Sequence, residues 1–339
     1  MPVRAVVAGA GSMGMNHLRV LKEFSEDVVE LVAVAEPDEA ARARVESRFG
    51  VTCYADYHEM IAATKPDLAT VVVPTNLHFD VAAHILDAEV NVLVEKPIAA
   101  TVEQARQLVD LADQRGVKLA VGHVERFNPA VVELKRLLDE GGLGAIFSLL
   151  ARRLGPFPPR IRDVGVILDL ATHDLDVMRY LTGSDVVHVS AETQRRVHDA
   201  HEDMVLALVR FANDAVGVLD VNWLTPTKVR ELSVTGERGM YLVNYLTQDL
   251  YFYENSSVTR ATWDGATTPI GVSEGAMTRL VVRKAEPLKL EYEDIFRALR
   301  TGSDVTVTGR DGLAVLEAAH QLVAVANADQ HSPASGGPR

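Results

Sequence analysis

Residues 3–14 read VRAVVAGAGSMG, a valine-rich run that breaks into Gly9, Gly11 and Gly14 at the spacing G-x-G-x-x-G. A helical pattern follows from about Met13 to Phe24. Strand, glycine turn and helix in that order open a βαβ unit, the context in which this spacing carries meaning. The first glycine allows the tight turn, the second lets backbone approach a pyrophosphate, and the third packs helix against strand. Ser12 and Met13 then begin a helix whose free N–H groups and dipole favour phosphate. Glu36 ends the next strand, ELVAVAE (30–36), where a carboxylate bonds ribose hydroxyls and repels a 2′-phosphate. NAD is the expected cofactor, and Arg42 and Arg44 close by keep NADP as the minor alternative.

Outward from this stretch the alternation continues. DEAARARVESRF (38–49) reads as a helix stopped by Gly50, LATVVVP (68–74) as a strand and NLHFDVAAHILDA (76–88) as a helix. NVLVEKP (91–97) is a strand, TVEQARQLVDLADQRG (101–116) a helix with Thr101 and Gln104 in a capping box, and VKLAVGH (117–123) one more strand. Unbroken Val/Ala/Leu strands are buried on both faces, as in a parallel sheet covered by helices. After Pro129 the texture changes. Runs at 145–153, 186–197, 204–211, 215–224, 231–236 and 239–245 read as strands, with GERG (236–239) as a hairpin turn. The expected fold class is α/β: an N-terminal doubly wound Rossmann sheet, then an α+β domain with a large, mostly antiparallel open sheet. The expected boundaries are 1–122 for the dinucleotide-binding domain, 123–328 for a substrate-binding and oligomerisation domain, and 329–339 for a disordered tail.

Composition narrows the function. The 339 residues carry 47 acidic against 34 basic side chains, a net charge of −13, so neither a nucleic-acid nor a membrane partner is expected. One cysteine, Cys53, rules out an internal disulfide and fits a reducing cytosol. The strand AVGVLDVNWL is too apolar for solvent, which predicts a homo-oligomer, dimer or tetramer, through the face of the second sheet.

Three further stretches carry charge where burial is expected. Lys96 and Glu95 end the apolar strand NVLVEKP, and in doubly wound sheets ligands bind beyond the carboxyl ends of the strands. DLATHDLD (169–176) places Asp169, His173 and Asp176 at i, i+4 and i+7 on one helical face. No HExxH or cysteine cluster accompanies them, so no metal is expected. RRLGPFPPRIR (152–162) gathers Arg152, Arg153, Arg160 and Arg162 around three prolines, a candidate clamp for a diphosphate. Arg126 and Asn128 in ERFNP are further candidates, and His123 ends a strand. His17, His58, His84, His188, His198, His201, His320 and His331 show no constellation with metal or catalytic spacing.

GAGSMG, VPTNLHFDVA, EKP and DLATHDLD in this order resemble the Gfo/Idh/MocA oxidoreductases over about residues 3 to 327. VERFNPAV (124–131) and GPFPPRIRDVGVILDLATHDLD (155–176) are most similar to the UDP-N-acetylglucosamine 3-dehydrogenase branch. The resemblance implies hydride transfer between NAD or NADP and a ring carbon of a sugar, cyclitol or nucleotide sugar. It implies Lys96, Asp169 and His173 as the catalytic set, and the 3-hydroxyl of a UDP-N-acetylhexosamine as the oxidised group. Either His173 or Lys96 suits the role of base. Cofactor contacts are expected from Gly9, Gly11, Ser12, Met13, Gly14, Glu36, Pro74, Thr75, Asn76, His78, Glu95 and Lys96. Substrate contacts are expected from Lys96, His123, Arg126, Asn128, Arg153, Arg160, Asp169 and His173. Two competing readings are a dehydrogenase of a free sugar or inositol, and a non-catalytic dinucleotide-binding sensor.

Overall fold

Strands with no polar face must be covered on both sides, and the first unit of the chain does this with helices. The computed structural model describes residues 1–158, 164–256, 262–263, 266–267 and 273–330. The chain divides into two compact units, Met1–Phe127 with Ala285–Glu317, and Asn128–Lys284 with Ala318–Arg339. The first contains β1 (Val3–Ala8), α1 (Ser12–Glu23), β2 (Val29–Ala35), α2 (Glu39–Phe49), β3 (Thr52–Tyr54) and α3 (Tyr57–Thr64). It continues with β4 (Leu68–Val71), α4 (His78–Asp87), β5 (Asn91–Val94), α5 (Val102–Arg115) and β6 (Leu119–Val121). The strands run in the order β3-β2-β1-β4-β5-β6, all parallel. The order reverses between β1 and β4. The loops after these two strands therefore flank the crevice in which such sheets hold ligands.

The expected boundary near residue 122 needs correction, because the first unit takes back a late segment. Helix α8 (Pro287–Thr301) carries Leu288, Tyr292, Ile295 and Phe296, spaced to share one face, and all four join the core that holds Ala5, Val7, Leu18 and Leu93. Burying side chains of this size stabilises a fold by roughly 1.5–3 kcal/mol each, which explains why the chain returns. The pair β3 and α3, absent from the sequence reading, fills the outer edge of the sheet. Its strand has only three residues, too few for a periodic signal.

The second unit contains α6 (Pro129–Asp139), β7 (Ile146–Pro156), a π-helical turn (Ile167–Ala171), α7 (Thr172–Thr182), β8 (Val186–Gln194), β9 (Met204–Phe211) and β10 (Val216–Asn222). Then come β11 (Leu224–Gly236), β12 (Gly239–Asn244), β13 (Asp249–Ser256), a two-stranded piece β14 (Thr262–Trp263) and β15 (Ala266–Thr267), and β16 (Ser273–Leu280). Eight strands form one sheet in the order β16-β13-β12-β11-β7-β10-β9-β8. Only β7 and β10 are parallel, so the sheet is mostly antiparallel as expected. Burial alternates along β9, with Val205, Ala207 and Val209 inside and Leu206 and Leu208 outside. Helix α9 (Gly309–Gln330) ends the described chain, so most of the tail expected to be disordered lies outside the described residues.

Candidate functional site

The glycine loop after β1 is shaped by what its neighbours allow. Gly9 has φ +101°, a left-handed conformation that suits glycine, and a Cβ added there would run into the Val72 carbonyl beyond β4. A Cβ on Gly14 would meet the Gly9 carbonyl. At Gly11 nothing lies within 4 Å of the added atom. Two glycines are thus required by packing, whereas the third leaves open space above the first turn of α1. That turn has no acidic residue, and no side chain caps it. Its N–H groups and the cleared space at Gly11 fit a pyrophosphate. Gly11→Ala is expected to leave the melting temperature within a few degrees and to weaken dinucleotide binding at least ~10-fold, measured by titration of the cofactor. Equal affinity would show that the space serves no ligand.

Glu36 follows β2 and turns back to the same loop. Its Oε2 accepts from the Ala10 N–H at 2.8 Å and its Oε1 from the Asp38 N–H at 3.1 Å. Arg42 donates to the carbonyls of Glu36 and Pro37 at 2.8 and 2.7 Å, which ties this candidate for a 2′-phosphate to the strand end. Beyond β4, Pro74 and Asn76 are exposed, and Thr75 between them is half-buried at the start of a short 3₁₀ turn. His78 differs from expectation. It is buried, with Nδ1 at 2.8 Å from the Pro97 carbonyl and Nε2 at 2.9 Å from the Val73 carbonyl. Both ring nitrogens are engaged by backbone, so His78 braces the loops rather than presenting an edge to a ligand. Burial pushes its imidazole below the usual histidine value, against the pull of the two carbonyls.

Glu95 and Lys96 follow β5, and the Lys96–Pro97 bond is cis. Glu95 accepts from the Lys96 N–H at 3.1 Å through Oε2 and lies 3.0 Å from His17 Nε2 through Oε1. Both of its carboxylate oxygens are thus engaged within the unit. Burial alone would raise its carboxyl, but the bond to His17 and the charge of Lys96 outweigh burial and hold it below the usual range. Lys96 itself is half-buried at the carboxyl end of the sheet.

In the second unit, DLATHDLD is not one uniform helix. Asp169 sits in the π-helical turn, a feature frequent at functional sites, and His173 in the first turn of α7. Both are half-buried, whereas Asp174 and Asp176 are enclosed at 1% and 0% exposure. The shared face therefore splits: Asp169 and His173 are partly exposed, whereas Asp176 is enclosed. Asp174 receives a two-pronged contact from Arg153, Nε to Oδ2 at 2.8 Å and Nη2 to Oδ1 at 3.0 Å. The Arg153 guanidinium also lies 5.2 Å from the centre of the Tyr245 ring.

This geometry corrects the expected diphosphate clamp. Arg153 faces the interior of β7 and is bound to Asp174 within it. Arg152, its neighbour, points to the other face between Asp220 and Glu231 at 3.8 and 3.7 Å. Arg160 and Arg162 lie outside the described residues. Two further substrate candidates are internal as well. Arg126, 4% exposed, donates to the Thr306 carbonyl and to Asp311, both at 3.1 Å. Asn128 caps α6 through Ala130 N–H and donates to the Tyr245 carbonyl at 3.1 Å. His123, after β6, is buried too. Arginine and asparagine in a connecting segment carry no sequence mark that separates a brace from a ligand contact.

Comparison with known proteins resolves what kind of chain this is. Residues 3–123 match the oxidoreductase family model described as an NAD-binding Rossmann fold, and residues 131–242 match the GFO/IDH/MocA C-terminal domain. UDP-N-acetylglucosamine 3-dehydrogenase of Acidithiobacillus ferrooxidans is 30% identical over 94% of this chain and 96% of its own. The chain belongs to the Gfo/Idh/MocA family. The solved structure of that relative, GnnA, matches with a TM-score of 0.86, covering 98% of this chain and all of the other at 28% identity. Inositol 2-dehydrogenase of Rhizobium meliloti is 27% identical over 95% of this chain and 96% of its own. As a Gfo/Idh/MocA protein the chain is a sugar or nucleotide-sugar oxidoreductase that uses a nicotinamide dinucleotide.

Family membership also directs attention to residues that sequence reasoning misses. His17 belongs to no constellation in the sequence, yet it is fully buried beside Glu95. Tyr292 arrives from α8, about two hundred residues beyond the strand it serves, and no local pattern could announce it. Cys53 behaves as expected of a small packed residue: burial pushes its thiol up to about 11, far from a nucleophile. Among the described residues, no helix is long and apolar enough to cross a membrane.

Proposed function

We propose that this protein is an NAD-dependent dehydrogenase that oxidises the 3-hydroxyl of a UDP-N-acetylhexosamine. The observation that carries the reading is the 30% identity to a UDP-N-acetylglucosamine 3-dehydrogenase along nearly the whole of both chains. A bound nicotinamide would supply the hydride acceptor. Gly9, Gly11, Ser12, Met13 and Gly14 bind the pyrophosphate, and Glu36 takes the ribose hydroxyls. The Glu36 carboxylate beside the Ala10 N–H disfavours a 2′-phosphate, which supports NAD over NADP.

His173 takes the proton of the substrate hydroxyl, because imidazole exchanges protons near neutral pH. Asp169, one turn earlier, holds the ring in the proton-accepting form. The Lys96 ammonium stabilises the negative charge that develops on oxygen. Arg160 takes an anionic group of the substrate. The outward stripe of Leu150, Val218 and Leu208, side by side on β7, β10 and β9, packs against a second copy of the chain, which burial of an apolar face supports.

Loss of Arg153 from the clamp favours one second reading, an inositol dehydrogenase like the Rhizobium meliloti relative. A neutral ring asks for no phosphate fork. The test is NADH formation, followed by absorbance, across UDP-sugars, free sugars and inositols. The kcat/KM for UDP-N-acetylglucosamine is expected to exceed that for myo-inositol by at least ~100-fold, the gain that a bound diphosphate supplies. The reverse ranking would establish the cyclitol enzyme.

A further inference from the structure

The turn that carries Asp169 is wound more widely than a regular helix, and its hydrogen bonds show where the widening begins. The Thr172 N–H reaches back five residues to the Ile167 carbonyl. A regular helix would join it to the Leu168 carbonyl, four residues back. The Leu168 carbonyl accepts the Thr172 hydroxyl at 3.1 Å. Just upstream, the Asp169 N–H bonds the Gly165 carbonyl at 3.0 Å with the ordinary spacing of four. Ile167 is therefore the residue on which the wide turn is hung.

Ile167 is held from outside the helix. Its N–H has no carbonyl to meet at the start of the helix, and it donates to Glu202 Oε1 at 3.1 Å. The Val166 N–H donates to the Glu202 main-chain carbonyl at 3.0 Å. Glu202 stands before β9 on a stiff base. Asp203, its neighbour, is 0% exposed and donates its N–H to the Gln194 carbonyl at 2.9 Å. Asp203 Oδ2 accepts the N–H groups of Arg196, Val197 and His198 at 2.7, 2.6 and 3.1 Å. The residue at 165 makes room for the contact, because a Cβ on Gly165 would run into the Glu202 carboxyl.

We propose that Glu202 is a positioning residue: by holding the Ile167 N–H it keeps the turn wide and thereby sets the angle about the helix axis between Asp169 and His173. One residue accounts for about 100° of a regular turn, so a return to regular winding would swing Asp169 relative to His173 by that order. The inference rests on the reading of Asp169 and His173 as catalytic for its meaning in turnover. Glu202 is not among the residues proposed to touch the substrate or the dinucleotide. Its role calls for an oxygen at one place rather than for a charge, which separates it from a residue that acts by electrostatics. A carboxylate that only capped a helix end would change melting and leave turnover alone.

The test uses three variants of the full chain. Glu202→Leu removes the acceptor, Glu202→Gln keeps an oxygen without the charge, and Gly165→Ala pushes the native carboxyl aside. Turnover is followed as NADH formation with the better substrate of UDP-N-acetylglucosamine and myo-inositol. Glu202→Leu and Gly165→Ala are each expected to lower kcat by about 10²-fold, with dinucleotide affinity within roughly twofold of the wild type. Amide hydrogen exchange in peptides covering 164–172 is expected to quicken by at least ~10-fold in both. Glu202→Gln is expected to keep most of the turnover and the slow exchange. Thermal transitions identify a variant that does not fold, and Gly165→Ala then decides in place of Glu202→Leu. Wild-type exchange in the folded variants, or Glu202→Gln as impaired as Glu202→Leu, overturns the proposal. His173→Ala is assayed alongside: full turnover in it removes the catalytic reading, while the exchange result still decides whether Glu202 holds the turn.

Discussion

Lys96→Ala is expected to lower turnover by about 10³-fold while the affinity for the dinucleotide changes by no more than roughly twofold. The separation follows from where the groups sit. The residues proposed to hold pyrophosphate and ribose follow β1 and β2, and Glu36 is fixed by Ala10 and Asp38, neither of which depends on Lys96. Lys96 follows β5, two strands away from β1 across β4. Truncating it therefore removes a charge at the reacting end and leaves the phosphate end unaltered. A loss confined to kcat marks an interaction made only in the transition state, whereas a rise in KM alone marks a binding group. The measurement is steady-state NADH formation together with fluorescence titration of the dinucleotide. A variant that binds and does not turn over separates an enzyme from a redox sensor, because a sensor has no use for the amine. Wild-type turnover would remove Lys96 from the mechanism.

The first unit is legible in the sequence because its signals are local. Gly9, Gly11 and Gly14 lie within six residues, and their spacing already contains the turn, the approach and the packing contact found around them. Valine-rich strands such as β1 and β4 likewise announce burial on both faces through their own composition. Helix α8 carries a readable stripe, Leu288, Tyr292, Ile295 and Phe296, but its membership of the N-terminal core is a long-range fact. No window of sequence contains both partners. The same limit hides the buried line of contacts from Thr70 through Tyr292 and His17 to Glu95. In DLATHDLD the residue types are informative and the spacing is not. The π-helical turn alters the register just where Asp169 stands, and a spacing rule for regular helices cannot foresee it.

The arginines teach the same lesson with a larger consequence for stability. Arg153→Ala is expected to lower the free energy of unfolding by about 3–5 kcal/mol, because it strands the Asp174 carboxylate in the interior. Arg153 and Asp174 are 3% and 1% exposed, and the contact between them is two-pronged. Alternation along β7 contains the explanation: adjacent residues face opposite sides, so Arg152 and Arg153 could never act as one surface pair. The inward arginine needs a buried acid, and Asp174 on α7 supplies it. Asp174→Asn keeps a hydrogen-bond acceptor but not the charge, so it too should destabilise, by a smaller amount. Replacing both residues with apolar ones of similar volume, Arg153→Met with Asp174→Leu, should recover much of the loss, since neither charge is then left alone. Urea unfolding with an unchanged m-value gives the comparison, the midpoint shifting and the cooperativity holding. A phosphate fork would behave in the opposite way: Arg153→Ala would unfold like the wild type and raise the Michaelis constant for a nucleotide sugar. Unaltered stability in that single variant would return Arg153 to the substrate.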